Sequence, residues 1–246
     1  MDMPINHFKR ALASGKPQIG LWNSLSSYLV TEIVAGAGYD WVLIDTEHSP
    51  VSVSDLHQQL QAMMENPLSS AVVRPPWNDM VTMKQYLDLG VQSFVIPVVQ
   101  NADEARAAVR YTRYPPEGVR GISGSSRSSR FGRVKSYFAN AASEICVTIQ
   151  AETIEAVGNI EAMAAIDGVD GIFIGPGDLS ASMGYTGQLM HPEVIKVIED
   201  AIKRIRKAGK APGILTSDEA FAKRCLEIGA LFVAVGQDVG VLARGV

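Results

Sequence analysis

Short unbroken apolar runs alternate along this chain with stretches whose apolar residues recur at helical spacing. The runs are Gln18 to Trp22, Asp40 to Asp45, Ala71 to Arg74, Ser93 to Ile96, Ile145 to Gln150, Val169 to Ile174, Pro212 to Leu215 and Leu231 to Val235. Continuous Val/Ile/Leu/Phe runs bounded by turn residues predict parallel strands covered on both faces. Between them the periodicity predicts helices over Ser26 to Ala35, Ser54 to Glu65, Asp79 to Leu89, Asp103 to Thr112 and Pro192 to Ala208. Leu56, Leu60, Met63 and Met64 share one face of the second, and Val194, Ile198, Ile202 and Ile205 one face of the last. Phe8 and Leu12 mark a short amphipathic start, and Thr216 with Glu219 predicts a capping box before the next helix.

Eight strand and helix units predict an α/β fold, a (β/α)8 TIM barrel built as a single domain over residues 1–246. The competitor, an open doubly wound sheet, needs a GxGxxG turn after the first strand, which is absent. One connection is long, Gln100 to Glu144. Within it, Gly118 to Lys135 carries Arg120, Arg127, Arg130, Arg133 and Lys135 with no acid. Two readings are open: a loop over the mouth that attracts a dianionic substrate, or a solvated or subunit-contact loop.

A hydrophobic content of 47% over 246 residues suffices for a sizeable core, and a net charge of −4 provides no basic field for nucleic acid or an anionic membrane. Small-molecule partners are expected. Two cysteines exclude a disulfide framework. With no signal peptide and no long apolar run, a cytoplasmic protein is expected.

In a TIM barrel the active site forms at the carboxyl ends of the strands. The polar residues falling there are Asp45, Glu47, His48, Arg74, Gln150, Glu152 and Asp178, with Trp22 and Leu215 as further substrate-lining candidates. Glu152 and Asp178 leave neighbouring strands with no lysine to neutralise them, the second beside Gly175-Pro176-Gly177. Such a pair suits a hard divalent cation, Mg²⁺ or Mn²⁺, with Co²⁺ as another candidate, and leaves positions for water and substrate. The plainer reading is that each carboxylate caps a helix. Arg74 suits a substrate carboxylate or a developing oxyanion, or else a buried pairing with Asp45 or Glu47. His48 is the candidate base, with Asp45 expected to accept from one ring nitrogen. No lysine ends a strand and no GxSxG is present, which disfavours Schiff-base and serine-hydrolase chemistry. A cation, an arginine and a base together suit enolate formation from a 2-oxo acid.

The segments GLW (20–22), DWVLIDTEHSP (40–50), VVRPPWND (72–79), RYPPEGVRG (113–121), QAE (150–152), GIFIGPGDLSASMGY (171–185) and LFVAVGQD (231–238) together resemble the HpcH/HpaI class II pyruvate aldolases. The resemblance implies reversible cleavage of a 4-hydroxy-2-oxo acid to pyruvate and an aldehyde. The acid would be a heptanedioate, a deoxy sugar acid or a hydroxypyruvate adduct. Rival readings are a decarboxylase using the same enolate, and a barrel that binds a 2-oxo acid without turnover. It further implies Glu152 and Asp178 as metal ligands, with Gln150 and the Gly177 and Asp178 amides near pyruvate. His48 supported by Asp45 would be the acid/base, and Arg74 would stabilise the enolate. In similar proteins the last helix is exchanged within a hexamer, and an acid matching Asp88 reaches a neighbour's site, so a homo-oligomer is expected. Thr46 and Gly177 depart from the family's usual Gly and Ala, at positions expected to alter which aldehyde fits. The chain ends eleven residues after Val235, so a short or missing terminal helix is expected.

Overall fold

Alternation along each short strand decides what faces the barrel axis and what faces the helices. The computed structural model describes residues 1–246. Its strands are β1 (Gln18–Asn23), β2 (Trp41–Asp45), β3 (Ser70–Arg74), β4 (Ser93–Ile96), β5 (Cys146–Ala151), β6 (Gly171–Ile174), β7 (Ala211–Leu215) and β8 (Phe232–Gln237). They pair in parallel in sequential order, and β8 closes on β1 as a barrel. Trp22, Trp41, Leu43, Val72, Val95, Phe173 and Phe232 fill the interior. Neighbouring strands supply glycine where these rings lie: a Cβ on Gly20 would sit 2.2 Å from the Trp41 ring, and one on Gly213 2.3 Å from the Phe232 ring. Phe8 of helix α1 (His7–Ala13) packs 5.7 Å from both Trp41 and Phe232, closing the amino-terminal end.

Outside the strands, 46 buried residues form the second core, against the helices. These are α2 (Tyr28–Ala35), α3 (Val53–Met63), α4 (Met80–Asp88), α5 (Ala102–Thr112), α6 (Tyr137–Asn140), α7 (Ile154–Gly158), α8 (Ile160–Ala164), α9 (Pro176–Ser182), α10 (Pro192–Lys207), α11 (Glu219–Glu227) and α12 (Asp238–Gly245). No helix is long and apolar enough to cross a membrane.

Four details differ from or refine the sequence expectation. The cap of α11 is Asp218, whose carboxylate accepts from the Phe221 amide at 2.7 Å, while the Thr216 hydroxyl accepts from Asp218 itself at 3.3 Å. Gly175-Pro176-Gly177 opens a helix rather than merely turning the chain: Gly175 is the N-cap of α9 and Pro176 its first residue, where a missing N–H costs nothing. The terminal helix is present but short, and its first residue Asp238 accepts from the Ser24 and Leu25 amides at 2.8 and 3.0 Å. Finally, the basic loop lies at the amino-terminal end of the barrel, opposite the mouth. It follows α5, which has already returned the chain there, and Arg127 donates to the Leu89 carbonyl at the far end of α4. The reading of a loop over its own chain's mouth is therefore overturned.

Candidate active site at the carboxyl end of the barrel

Asp45 and Arg74 end β2 and β3 in register, both at inward positions, so an acid and a base meet side by side inside the mouth. The guanidinium donates to both Asp45 oxygens, Nε to Oδ1 at 2.9 Å and Nη2 to Oδ2 at 2.7 Å. Its Nη1 lies 2.8 Å from Glu47 Oε2 without hydrogen-bonding direction. Arg74 also sits 4.8 Å above the Trp22 ring, whose indole N–H donates to Asp45 Oδ2 at 3.3 Å. Burial opposes the Asp45 charge, and the Arg74 bonds outweigh it, holding the carboxyl below its ordinary value.

Glu152 follows β5 and is 4% exposed. Its Oε1 accepts from the Val98 amide at 2.8 Å and its Oε2 from the Gln150 side-chain amide. Burial, helped by the charges of Asp178 and Glu47, pushes its carboxyl up to about 7 against those two bonds. Glu47 is raised by burial and by Asp45 and Asp178, against the pull of Arg74 and His48. Asp178 lies exposed in the first turn of α9, a location that favours negative charge. Thus Asp45 and Glu47 pair with one guanidinium, while Glu152 faces the charges of Asp178 and Glu47, so four acids meet a single arginine at this end.

That donor set fits a hard divalent cation. Carboxylate oxygens are the appropriate ligands, and the buried Gln150 Oε1 has no hydrogen-bond partner. Gly175 leaves room beside Glu152, since a Cβ there would lie 2.7 Å from Oε2. No three His, Cys, Asp or Glu side chains enclose a metal position, so an ion placed between Glu152 and Asp178 would keep positions open for other ligands.

Several expectations change in detail. The His48 ring is 68% exposed and 3.9 Å from Glu47, while Asp45 bonds only the His48 main-chain amide, at 3.4 Å. Asp45 is spent on Arg74, so the carboxylate beside the imidazole is Glu47. Trp22 is 2% exposed and lies under the Asp45 and Arg74 pair, a supporting place rather than a substrate wall. The Thr46 hydroxyl is buried, donating to the Arg74 carbonyl at 2.7 Å, which removes it from the aldehyde's path. Leu215 and Gly177 do line a cavity of about 340 Å³ at this end. Asp88, expected to serve a neighbour's site rather than its own, ends α4 at the opposite end of the barrel, 3.6 Å from Arg120. One contributor escaped the sequence reading, the Val98 amide, whereas Glu47 was already expected at this end as a partner for Arg74. Nothing in the sequence marks the Val98 amide.

The chain matches the family model described as HpcH/HpaI aldolase/citrate lyase over residues 18–245. It is 56% identical to a pyruvate aldolase of Rhizobium etli over 245 residues, covering 100% of this chain and 96% of the relative. It is 57% identical to a 4-hydroxy-2-oxo-heptane-1,7-dioate aldolase of Shigella sonnei, covering 97% of this chain and 91% of the relative. A crystal structure of an HpcH/HpaI aldolase/citrate lyase family protein from Burkholderia cenocepacia J2315 superposes with a TM-score of 0.94 at 37% identity, covering 98% of this chain and 96% of that one. A strand-end site of this composition, matched along nearly the whole sequence, places the chain in the HpcH/HpaI aldolase/citrate lyase family.

Proposed function

We propose that this chain is an aldolase, a carbon-carbon lyase, that splits 4-hydroxy-2-oxoheptane-1,7-dioate reversibly into pyruvate and succinate semialdehyde. The observation carrying this reading is the group of four carboxylates at the barrel mouth, of which Asp45 and Glu47 pair with Arg74 and Glu152 and Asp178 face each other. Class II aldolases of this family depend on a divalent metal. Glu152 and Asp178 would hold Mg²⁺ or Mn²⁺, which when bound polarises the 2-oxo group and lowers the cost of the enolate.

The protein's own groups do the rest. The Gly177 and Asp178 amides, in the first turn of α9 with no intrahelical acceptor, receive the substrate carboxylate. Gln150 keeps its amide N–H on Glu152 and turns its unpartnered carbonyl oxygen to the ligands around it. His48 takes the proton of the C4 hydroxyl. The C3–C4 bond then breaks, the aldehyde leaves, and its electron pair becomes the pyruvate enolate. Arg74, already fixed by Asp45, faces the charge that develops on the enolate oxygen. Returning the proton to C3 gives pyruvate. Leu215 and Gly177 border the space for the aldehyde portion.

A homo-oligomer is part of this reading. Leu29 and Ile33 on α2 and Val241 and Leu242 on α12 are each more than half exposed, and the Asp238 bonds to Ser24 and Leu25 join these two segments. Sedimentation should give a mass well above 26.5 kDa, shifted down by Ile33→Glu with Leu242→Glu; a monomeric parent protein contradicts it.

The function is tested by measuring pyruvate release from 4-hydroxy-2-oxoheptanedioate by chelator-stripped protein with and without Mg²⁺ or Mn²⁺. Parallel arms use deoxy sugar acid substrates, hydroxypyruvate adducts and oxaloacetate. The proposal expects metal-dependent release that is lost in Glu152→Ala and fastest with the heptanedioate. Faster turnover in another arm replaces the substrate, and no turnover in any arm removes the enzymatic reading.

A further inference from the structure

The far end of the barrel holds a second concavity, unconnected with the mouth. It measures about 210 Å³ and lies between the N-terminal arm, the starts of β3 and β4, and the turn Arg127–Ser129 with Arg130. His7, Ser69, Arg127 and Arg130 line it together with Leu60 and Met63, and no aspartate or glutamate does. Ser70 begins β3 and Arg74 ends it, so roughly 13 Å of strand separates this floor from the mouth.

Both guanidinium groups here lack an anionic partner. Arg127 donates to the neutral Leu89 carbonyl and lies 3.0 Å from the Met64 sulfur. Arg130 makes no ion pair and no side-chain hydrogen bond. Arg10, Arg113 and Arg224, by contrast, each reach a carboxylate within 3.2 Å. Burial and the neighbouring Arg130 charge both press the Arg127 guanidinium toward losing its proton. Ser69, 7% exposed, has a buried hydroxyl without a hydrogen-bond partner. Gly90, at φ +94°, leaves the path of Arg127 open, since a Cβ there would lie 3.2 Å from Nη1. Two arginines lining one cavity with no carboxylate against them supply the charge that phosphate or carboxylate oxygens need.

We propose that this cavity at the amino-terminal end of the barrel binds a small oxyanion, held by Arg127 and Arg130 with His7 and Ser69 beside them. The oxyanion is a phosphate or a compact carboxylate. It does not compete with pyruvate, because it sits at the opposite end of β3.

Isothermal titration in an amine buffer, with inorganic phosphate in one arm and malonate in the other, tests the proposal on the intact protein. The expected result is saturable binding of at least one anion, unchanged in Glu152→Ala, which alters only the mouth, and weakened tenfold or more by Arg130→Gln. The tighter of the two arms identifies the source. Arg127→Gln should weaken binding likewise; Arg130→Gln is the primary variant because it removes no internal hydrogen bond. Its pyruvate proton exchange without added anion should equal that of the parent protein. Loss of binding in Glu152→Ala, equal affinity in Arg130→Gln, or no saturable binding of either anion up to about 10 mM overturns the proposal.

Discussion

Arg74 is the residue on which the mouth's electrostatics turn. Its side chain is buried between Asp45, Glu47 and the Trp22 face, so removing it leaves buried Asp45 and half-buried Glu47 without their cation. Arg74→Met should lower stability by about 3 kcal/mol, read as a drop in the urea midpoint, and should abolish enolate chemistry. An unchanged midpoint would contradict the pairing. Arg74→Lys cannot reproduce the bidentate fork and should also lose activity. Glu152 makes a pH prediction. Burial raises its folded-state carboxyl to about 7 from an ordinary value of 4.5. Between those values the unfolded chain ionises while the folded protein keeps its proton, so metal-free stability falls as pH rises through that window and levels off above it. The decline is on the order of 3 kcal/mol. Denaturant titrations of stripped protein should show it, Glu152→Gln should lose it, and added Mn²⁺ should counter it.

At the scale of elements, backbone position matters more than residue type. Val98 is held at φ +53° while its amide reaches Glu152, a conformation costly for a branched residue. Val98→Gly should keep the amide, relieve about 1 kcal/mol of strain, and leave the midpoint unchanged or higher; a marked fall would mean that the side chain matters more. Gly213→Val should destabilise by about 3 kcal/mol, because the added carbon enters the Phe232 ring. The strands were legible because a buried parallel strand is written as an unbroken apolar run, and Asp45 and Arg74 because alternation continues to the strand ends. The cap of α11 was not legible, since Thr216 and Asp218 are both good capping residues and only the turn's path decides between them. Asp218→Ala should therefore cost about 1 kcal/mol and Thr216→Ala much less. The hydrogen bonding of His48 was also beyond the sequence: it follows the end of β2 in a bend, where its amide joins Asp45 and its ring lies beside Glu47.

Across the whole molecule, charge is sorted between the two ends of the barrel. Acids crowd the carboxyl end, and the basic segment lies at the amino-terminal end. Its place follows from topology: a connection after a helix starts where the next strand begins, whatever its charge. The crowding of acids at the mouth is what the proposed metal-assisted enolate formation rests on. The most direct test is deuterium exchange into the pyruvate methyl group, followed by NMR on chelator-stripped protein before and after adding Mg²⁺ or Mn²⁺. The account predicts exchange that appears with metal and is lost in Glu152→Ala; equally fast exchange by folded, stripped protein would contradict it.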